Sequence, residues 1–250
     1  MKTTWFYSLI ISTFFFSIAS QAESRKQVAT SGIEQVQFIE LYSSESCSSC
    51  PPADKWFSEF KNYPGLWKTF IPIVFHVDYW NNLGWKDKLS SKEMTQRQVD
   101  VSMQWPKPSV YTPAVVANGK EWSRWHESKD HSLPEFKQQK SKIELTIYQE
   151  KNLSYTVKVV GVNKNEKYKI WIAQLGMGLT SKITSGENSG ETFEHNFVVL
   201  HLDKKEILNN EAEENFIIPK TDKQVTRLAI VAWIEKDKKS TPLQAAGSYL

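Results

Sequence analysis

The chain has 250 residues, 40% of them hydrophobic, and a net charge of +3, so it is long enough for one large domain or two small ones. Lysines and acids are interleaved along it, which excludes a basic stripe for nucleic acid and an acidic solvating tail. Its ten tryptophans sit mostly in periodic segments and read first as packing residues.

At the N-terminus Lys2, an apolar run from Trp5 to Ile18 and the small residues Ser20 and Ala22 predict a secretory signal peptide over residues 1–22. The alternative, an uncleaved anchor, asks for about 20 apolar residues, and this run is shorter. Nothing later approaches a membrane span, so a periplasmic or secreted protein with no stable membrane span after cleavage is expected. In such a compartment a pair of cysteines is a disulfide for at least part of its life.

Residues 23–34 are polar and read as a loose leader. Val36 to Tyr42 predicts a strand, Ser43 to Ser49 a polar turn, and Pro51 onward a helix with Trp56, Phe57 and Phe60 on one face. Proline is tolerated in a first helical turn, so Cys50 falls at a helix N-terminus. Phe70 to Val77 is a continuous apolar strand, completing a β-α-β unit. Ser90 or Ser91 can cap a helix reaching Met103. Val110 to Ala117 predicts a third strand containing Thr112-Pro113, Asn118-Gly119 a tight hairpin, Glu121 to Trp125 a fourth strand, and Ser132 to Lys142 a closing helix. Beyond it the texture changes to short alternating runs at Ile143 to Tyr148, Leu153 to Val160, Tyr168 to Leu175, Thr192 to Leu202 and Leu228 to Glu235. These features divide the chain into an α/β half over 35–141 and a β-rich, sandwich-like half over 142–250.

The chemistry concentrates in Cys47-Ser48-Ser49-Cys50, between a strand and a helix. A helix N-terminus carries partial positive charge and unpaired N–H groups, which favour thiolate over thiol. Cys47 is therefore the expected nucleophile and Cys50 the resolving thiol that attacks the mixed disulfide. Thr112-Pro113 is the second element: an X-Pro bond can be cis, and a cis proline facing a dithiol leaves the preceding backbone free to pair with an extended chain.

The order of these elements resembles the thioredoxin superfamily. More narrowly, Cys-Ser-Ser-Cys-Pro-Pro-Ala-Asp over 47–54, Phe-His-Val-Asp-Tyr-Trp over 75–80, Leu-Gly-Trp-Lys-Asp over 83–87, Arg97-Gln98 and Tyr-Thr-Pro over 111–113 are similar to a bacterial exported family. That family is known only as a domain of unknown function with a thioredoxin-like fold. The resemblance implies an α/β thioredoxin-like domain over 35–141, followed by the β-rich domain, and a thiol-disulfide site at Cys47 and Cys50. It names no substrate. Ser-Ser between the cysteines and two prolines after them depart from ordinary thioredoxin.

Around that site Glu40 is either a buried acid assisting Cys50 or a residue of the sheet edge. His76 either stabilises the Cys47 thiolate or is a satisfied histidine at a strand end. Asp78, Trp80 and Trp85, with Thr112 and Pro113, read as the lining of a substrate cleft at the C-terminal sheet edge. Arg97 and Gln98 read as internal anchors. His126, His131, His195 and His201 lack ligand spacing and receive no role. The leading expectation is an exported thiol-disulfide oxidoreductase acting on protein thiols or disulfides with an unidentified redox partner and no cofactor beyond its own disulfide. A second is a copper module in which Cys47, Cys50 and His76 hold Cu(I). A third is a non-catalytic scaffold with a structural disulfide.

Overall fold

The computed structural model describes residues 25–128, 132–134, 140–151, 153–208 and 211–250. The signal expected over 1–22, His131 and much of the helix expected over 132–142 lie outside these residues. Strand β1 (Lys26–Thr30) precedes β2 (Gln37–Ser43), helix α1 (Pro51–Ser58), β3 (Phe70–His76), helix α2 (Lys92–Ser102), β4 (Ala114–Ala117) and β5 (Lys120–Glu121). There follow β6 (Glu144–Gln149), β7 (Ser154–Val160), β8 (Tyr168–Met177), β9 (Leu179–Lys182) and β10 (Thr192–His195). The chain closes with β11 (Val198–Ile207), β12 (Glu211–Ile217), β13 (Arg227–Lys236) and β14 (Pro242–Tyr249). No helix among the described residues is long and apolar enough to cross a membrane.

Local chemistry sets several of these boundaries. Pro51 and Pro52 open α1, where their missing N–H groups cost little. Ser91 caps α2, its hydroxyl accepting from the Met94 N–H at 3.3 Å. Asn118 and Gly119 both take positive φ, 50° and 77°, as a type I′ turn demands. The leader segment proves partly ordered: Lys26–Thr30 pairs with β6.

The expected α/β thioredoxin-like domain with a separate β-rich neighbour is not what forms. The chain is mainly β, and its main sheet has eight strands in the order β14-β13-β8-β11-β3-β2-β4-β5. Strands from both halves join edge to edge, because β11 pairs in parallel with β3 at Val198 and Val74 and antiparallel with β8. The two α-helices cover only part of that sheet. A four-stranded sheet, β1-β6-β7-β12, packs elsewhere over it.

Side-chain alternation assigns the faces. Phe38 and Tyr42 of β2 and Ile73 and Phe75 of β3 share one core with Met94 and Val101 of α2 and Trp171 and Trp233. Ile39 and Leu41 of β2, Val74 of β3 and Val115 of β4 point to the other face, against Phe57 and Phe60 of the α1 segment. Burying such aromatic side chains contributes roughly 1.5–3 kcal/mol each. On this second face, further along the sheet, Ile170, Ile172 and Ile230 pack against Leu145, Ile147 and Val157 of the four-stranded sheet.

Candidate functional site

The loop leaving β2 carries Cys47, which forms a disulfide with Cys50 at a Cα separation of 5.4 Å. Cys50 is the N-cap residue of α1. Cys47 keeps 4% of its surface exposed and Cys50 none, while Ser48 and Ser49 between them are exposed. The helix start offers less to a thiolate than the sequence reading assumed. Pro51 and Pro52 have no N–H, and those of Ala53 and Asp54 donate to the Cys50 carbonyl at 2.9 and 3.1 Å. The polar side chain bonded to Cys47 Sγ is Ser49, with Oγ at 3.4 Å.

Below the disulfide, on the α1 face, the paired ends of β2 and β3 bring Ser43 beside His76. Ser43 Oγ donates to Asp54 Oδ2 at 2.7 Å, and Asp54 stands one helical turn after Cys50. His76 is fully buried, with Nδ1 2.7 Å from Asp87 Oδ2 and no hydrogen bond at Nε2. Burial alone would lower the His76 pKa, but the carboxylates of Asp87, Asp54 and Glu45 outweigh it and hold it at about 9. Burial raises the Asp54 carboxyl, partly opposed by the two histidines and Ser43. Burial works the same way on Asp87, yet His76 and the N–H groups of Glu45 and Leu89 bring it below its ordinary value.

His195, at the end of β10, completes the group. Its ring lies 5.0 Å from that of His76, edge to face. Its Nε2 is 3.2 Å from Glu45 Oε1, outside hydrogen-bond alignment. Trp85 Nε1 donates to the other oxygen of Glu45 at 2.7 Å. Burial would raise Glu45, but His195, Ser181 and Trp85 bring it down. Sequence spacing gave no sign of His195. Asp54 had one, since position i+4 from Cys50 shares its helix face.

The ribbon formed by β9 and β10 folds over the cysteine loop. Asn188, at its turn, donates to the carbonyls of Glu45 and Cys47 at 2.8 and 3.2 Å. Ser185 Oγ donates to Gly84 O at 2.6 Å. Trp85 sits in this closure through Glu45 and through its carbonyl, which accepts from Ser46 Oγ at 2.8 Å. The Thr112–Pro113 bond is cis, and the register of Tyr42 with Ala114 places Pro113 beside the end of β2. Trp80 Nε1 donates to Thr112 Oγ1 at 2.8 Å. Asp78 is turned to α2 instead, accepting from Thr95 Oγ1 at 2.6 Å.

Glu40 is not at this site. It shares the sheet face of Phe38 and Tyr42, opposite α1, and lies fully buried against Arg97. Arg97 also meets Glu235 at 2.6 Å, and Gln98 holds the Tyr111 carbonyl at 2.6 Å, so both act as internal anchors. His126 is exposed on a short 3-10 turn, and His201 lies on β11, away from the group.

What gathers at the end of β2 and β3 is thus a disulfide at a helix start and, beneath it, two imidazoles among three carboxyl groups. A model for a family described as a protein of unknown function, DUF1223, matches residues 38–235. The fold is similar to a crystal structure of a protein from Agrobacterium tumefaciens, with TM-score 0.57 and 20% identity over 86% of this chain and 94% of that one. It is also similar to HBP35 of Porphyromonas gingivalis, with TM-score 0.55 and 11% identity over 87% and 76% of the two chains. No curated protein matches.

Proposed function

The chain belongs to the DUF1223 family, whose description assigns no activity, and from the site itself we propose that it is an exported thiol-disulfide oxidoreductase acting on protein thiols. The observation that carries this reading is the asymmetry of the Cys47–Cys50 pair at the start of α1: Cys47 is buried but for 4% of its surface and Cys50 is fully sealed. In the oxidised protein a substrate thiolate attacks Cys47 Sγ, the Cys47–Cys50 bond breaks, and Cys50 leaves as thiolate. A second substrate thiolate then attacks the substrate sulfur of the mixed disulfide and releases Cys47 as thiolate, so substrate loses two electrons and the protein gains them. The reverse sequence reduces a substrate disulfide. Pro113 and Thr112, flanking the end of β2, and Trp85, beside the cysteine loop, are the surfaces an incoming chain would meet.

Equilibration with glutathione buffers tests the reading. Exchange should vanish in Cys47→Ser, and Cys50→Ser should accumulate mixed disulfides through Cys47. Exchange that survives in both variants, or a reduction potential well below about −300 mV without measurable turnover, would replace it with a structural disulfide.

A further inference from the structure

We infer that Asp54, His76 and His195 form a binding site for a divalent zinc-like cation beneath the disulfide, separate from the sulfurs. Their ligand-bearing atoms all lie within 4.8 Å of one another. Tetrahedral zinc with bonds of about 2.0–2.1 Å spaces its ligand atoms about 3.4 Å apart, so no pair of them must close by more than about 1.4 Å.

The second observation concerns the imidazoles, both more than nine-tenths buried. A buried ring nitrogen without a partner is costly; His76 has one and His195 two. His76 gives Nδ1 to Asp87 and leaves Nε2 unpartnered. His195 sets Nε2 3.2 Å from Glu45 Oε1 without hydrogen-bond alignment, and its Nδ1 is unpartnered as well. A carboxylate beside one nitrogen and no protein partner on the other is how proteins orient histidine toward a metal, and binding the cation displaces any proton held on that nitrogen. Asp87 is itself fixed by the N–H groups of Glu45 and Leu89, at 2.9 and 2.8 Å, and Asp54 by Ser43. The carboxyl groups of Asp54, Asp87 and Glu45 supply the negative charge a buried dication requires.

A cleft of about 590 Å³ between α1 and β10, lined by Pro51, Asp54, Lys55, Thr192 and Phe193, reaches the group at Asp54, with the two histidines behind it. Three protein ligands leave the fourth position of a tetrahedral cation to water or a ligand. Neither cysteine is needed, so the site stands or falls independently of thiol exchange.

The test is titration of the oxidised, chelator-stripped full-length protein with Zn²⁺ against a competing indicator, and with Co²⁺ for its spectrum. One equivalent of Zn²⁺ should bind, and Co²⁺ should show d–d bands without sulfur charge transfer. Asp54→Asn and His195→Gln should each weaken binding at least 100-fold, Asp87→Asn by about 10–100-fold, and Cys47→Ser not at all. Metal-free circular dichroism of each variant establishes that it is folded. Should one histidine variant not fold, the near-isosteric Asp54→Asn and the cobalt spectrum still decide. No stoichiometric uptake, uptake indifferent to Asp54→Asn and His195→Gln, or a thiolate charge-transfer band would each overturn the assignment.

Discussion

Arg97 donates to one oxygen of Glu40 twice, through Nε at 3.0 Å and Nη2 at 2.8 Å, on the sheet face turned away from α1. Glu235 takes the third nitrogen, and the stacked indoles of Trp171 and Trp233 lie 5.5 Å from the guanidinium. Removing one partner of such a buried network strands the charges it neutralised. Arg97→Met should therefore cost about 3–5 kcal/mol at neutral pH. The loss should shrink as pH falls. Burial already raises the folded-state pKa of Glu40 against the pull of Arg97 and Tyr42, so without Arg97 the carboxyl takes up a proton rather than remain charged. Urea unfolding at pH 7 and pH 5 measures both, and an equal penalty at the two values would refute the electrostatic account.

The two prolines opening α1 withhold donors from the sulfur that must leave as an anion. An N-cap side chain normally accepts from the second or third residue of its helix, and here the second is Pro52. Pro52→Ala restores an N–H there, which should stabilise the thiolate form. The reduction potential should become less negative by about 30 mV, the equivalent of about 1.4 kcal/mol. Glutathione equilibration reads the shift, and an unchanged potential argues that the helix start does not reach the sulfur.

Asn188 pins the cysteine loop from the β9–β10 ribbon. Asn188→Ala removes both of its hydrogen bonds, each worth about 1 kcal/mol, and frees the loop to open. In the reduced protein, alkylation of Cys47 by iodoacetamide should accelerate several-fold, with a stability loss of about 1–2 kcal/mol. An unaltered alkylation rate would mean that the ribbon does not govern access.

Gln244 of β14 is fully buried and ties three segments together. Its side chain accepts from Val36 N at 3.0 Å and donates to the carbonyls of Glu34 and Ile143 at 3.0 and 3.3 Å. Gln244→Leu leaves the Val36 N–H and the Glu34 carbonyl without this partner, while Ile143 keeps the Ser141 hydroxyl, and should cost about 3 kcal/mol, visible in the midpoint of denaturation. A loss below about 0.5 kcal/mol would show that water replaces the amide.

Much of the local structure was legible. The continuous apolar run at Phe70, the cap at Ser91, the turn at Asn118-Gly119 and the helix start at Pro51 each rest on neighbours in the chain, and each forms where expected. The assembly was not legible, because Val198 meets Val74 through a pairing that neither segment announces. Alternating strands after residue 142 read as a sandwich of their own, yet β8, β11, β13 and β14 extend the first sheet. The same distance hid the site. Cys47, Cys50 and His76 were visible as motifs, whereas His195 becomes a neighbour of His76 only once β10 has crossed back. Glu40 misled for a simpler reason: it lies on a strand near the cysteine loop, but its position along that strand points it to the wrong face.

That Asn188 roofs Cys47 has a consequence for the order of synthesis. While the first half of the chain emerges, the carbonyls of Glu45 and Cys47 exist without the amide that later holds them. Only when the ribbon around residue 188 arrives does the cysteine loop acquire that tether. A polypeptide halted before Leu179 would therefore keep its cysteine loop without that tether.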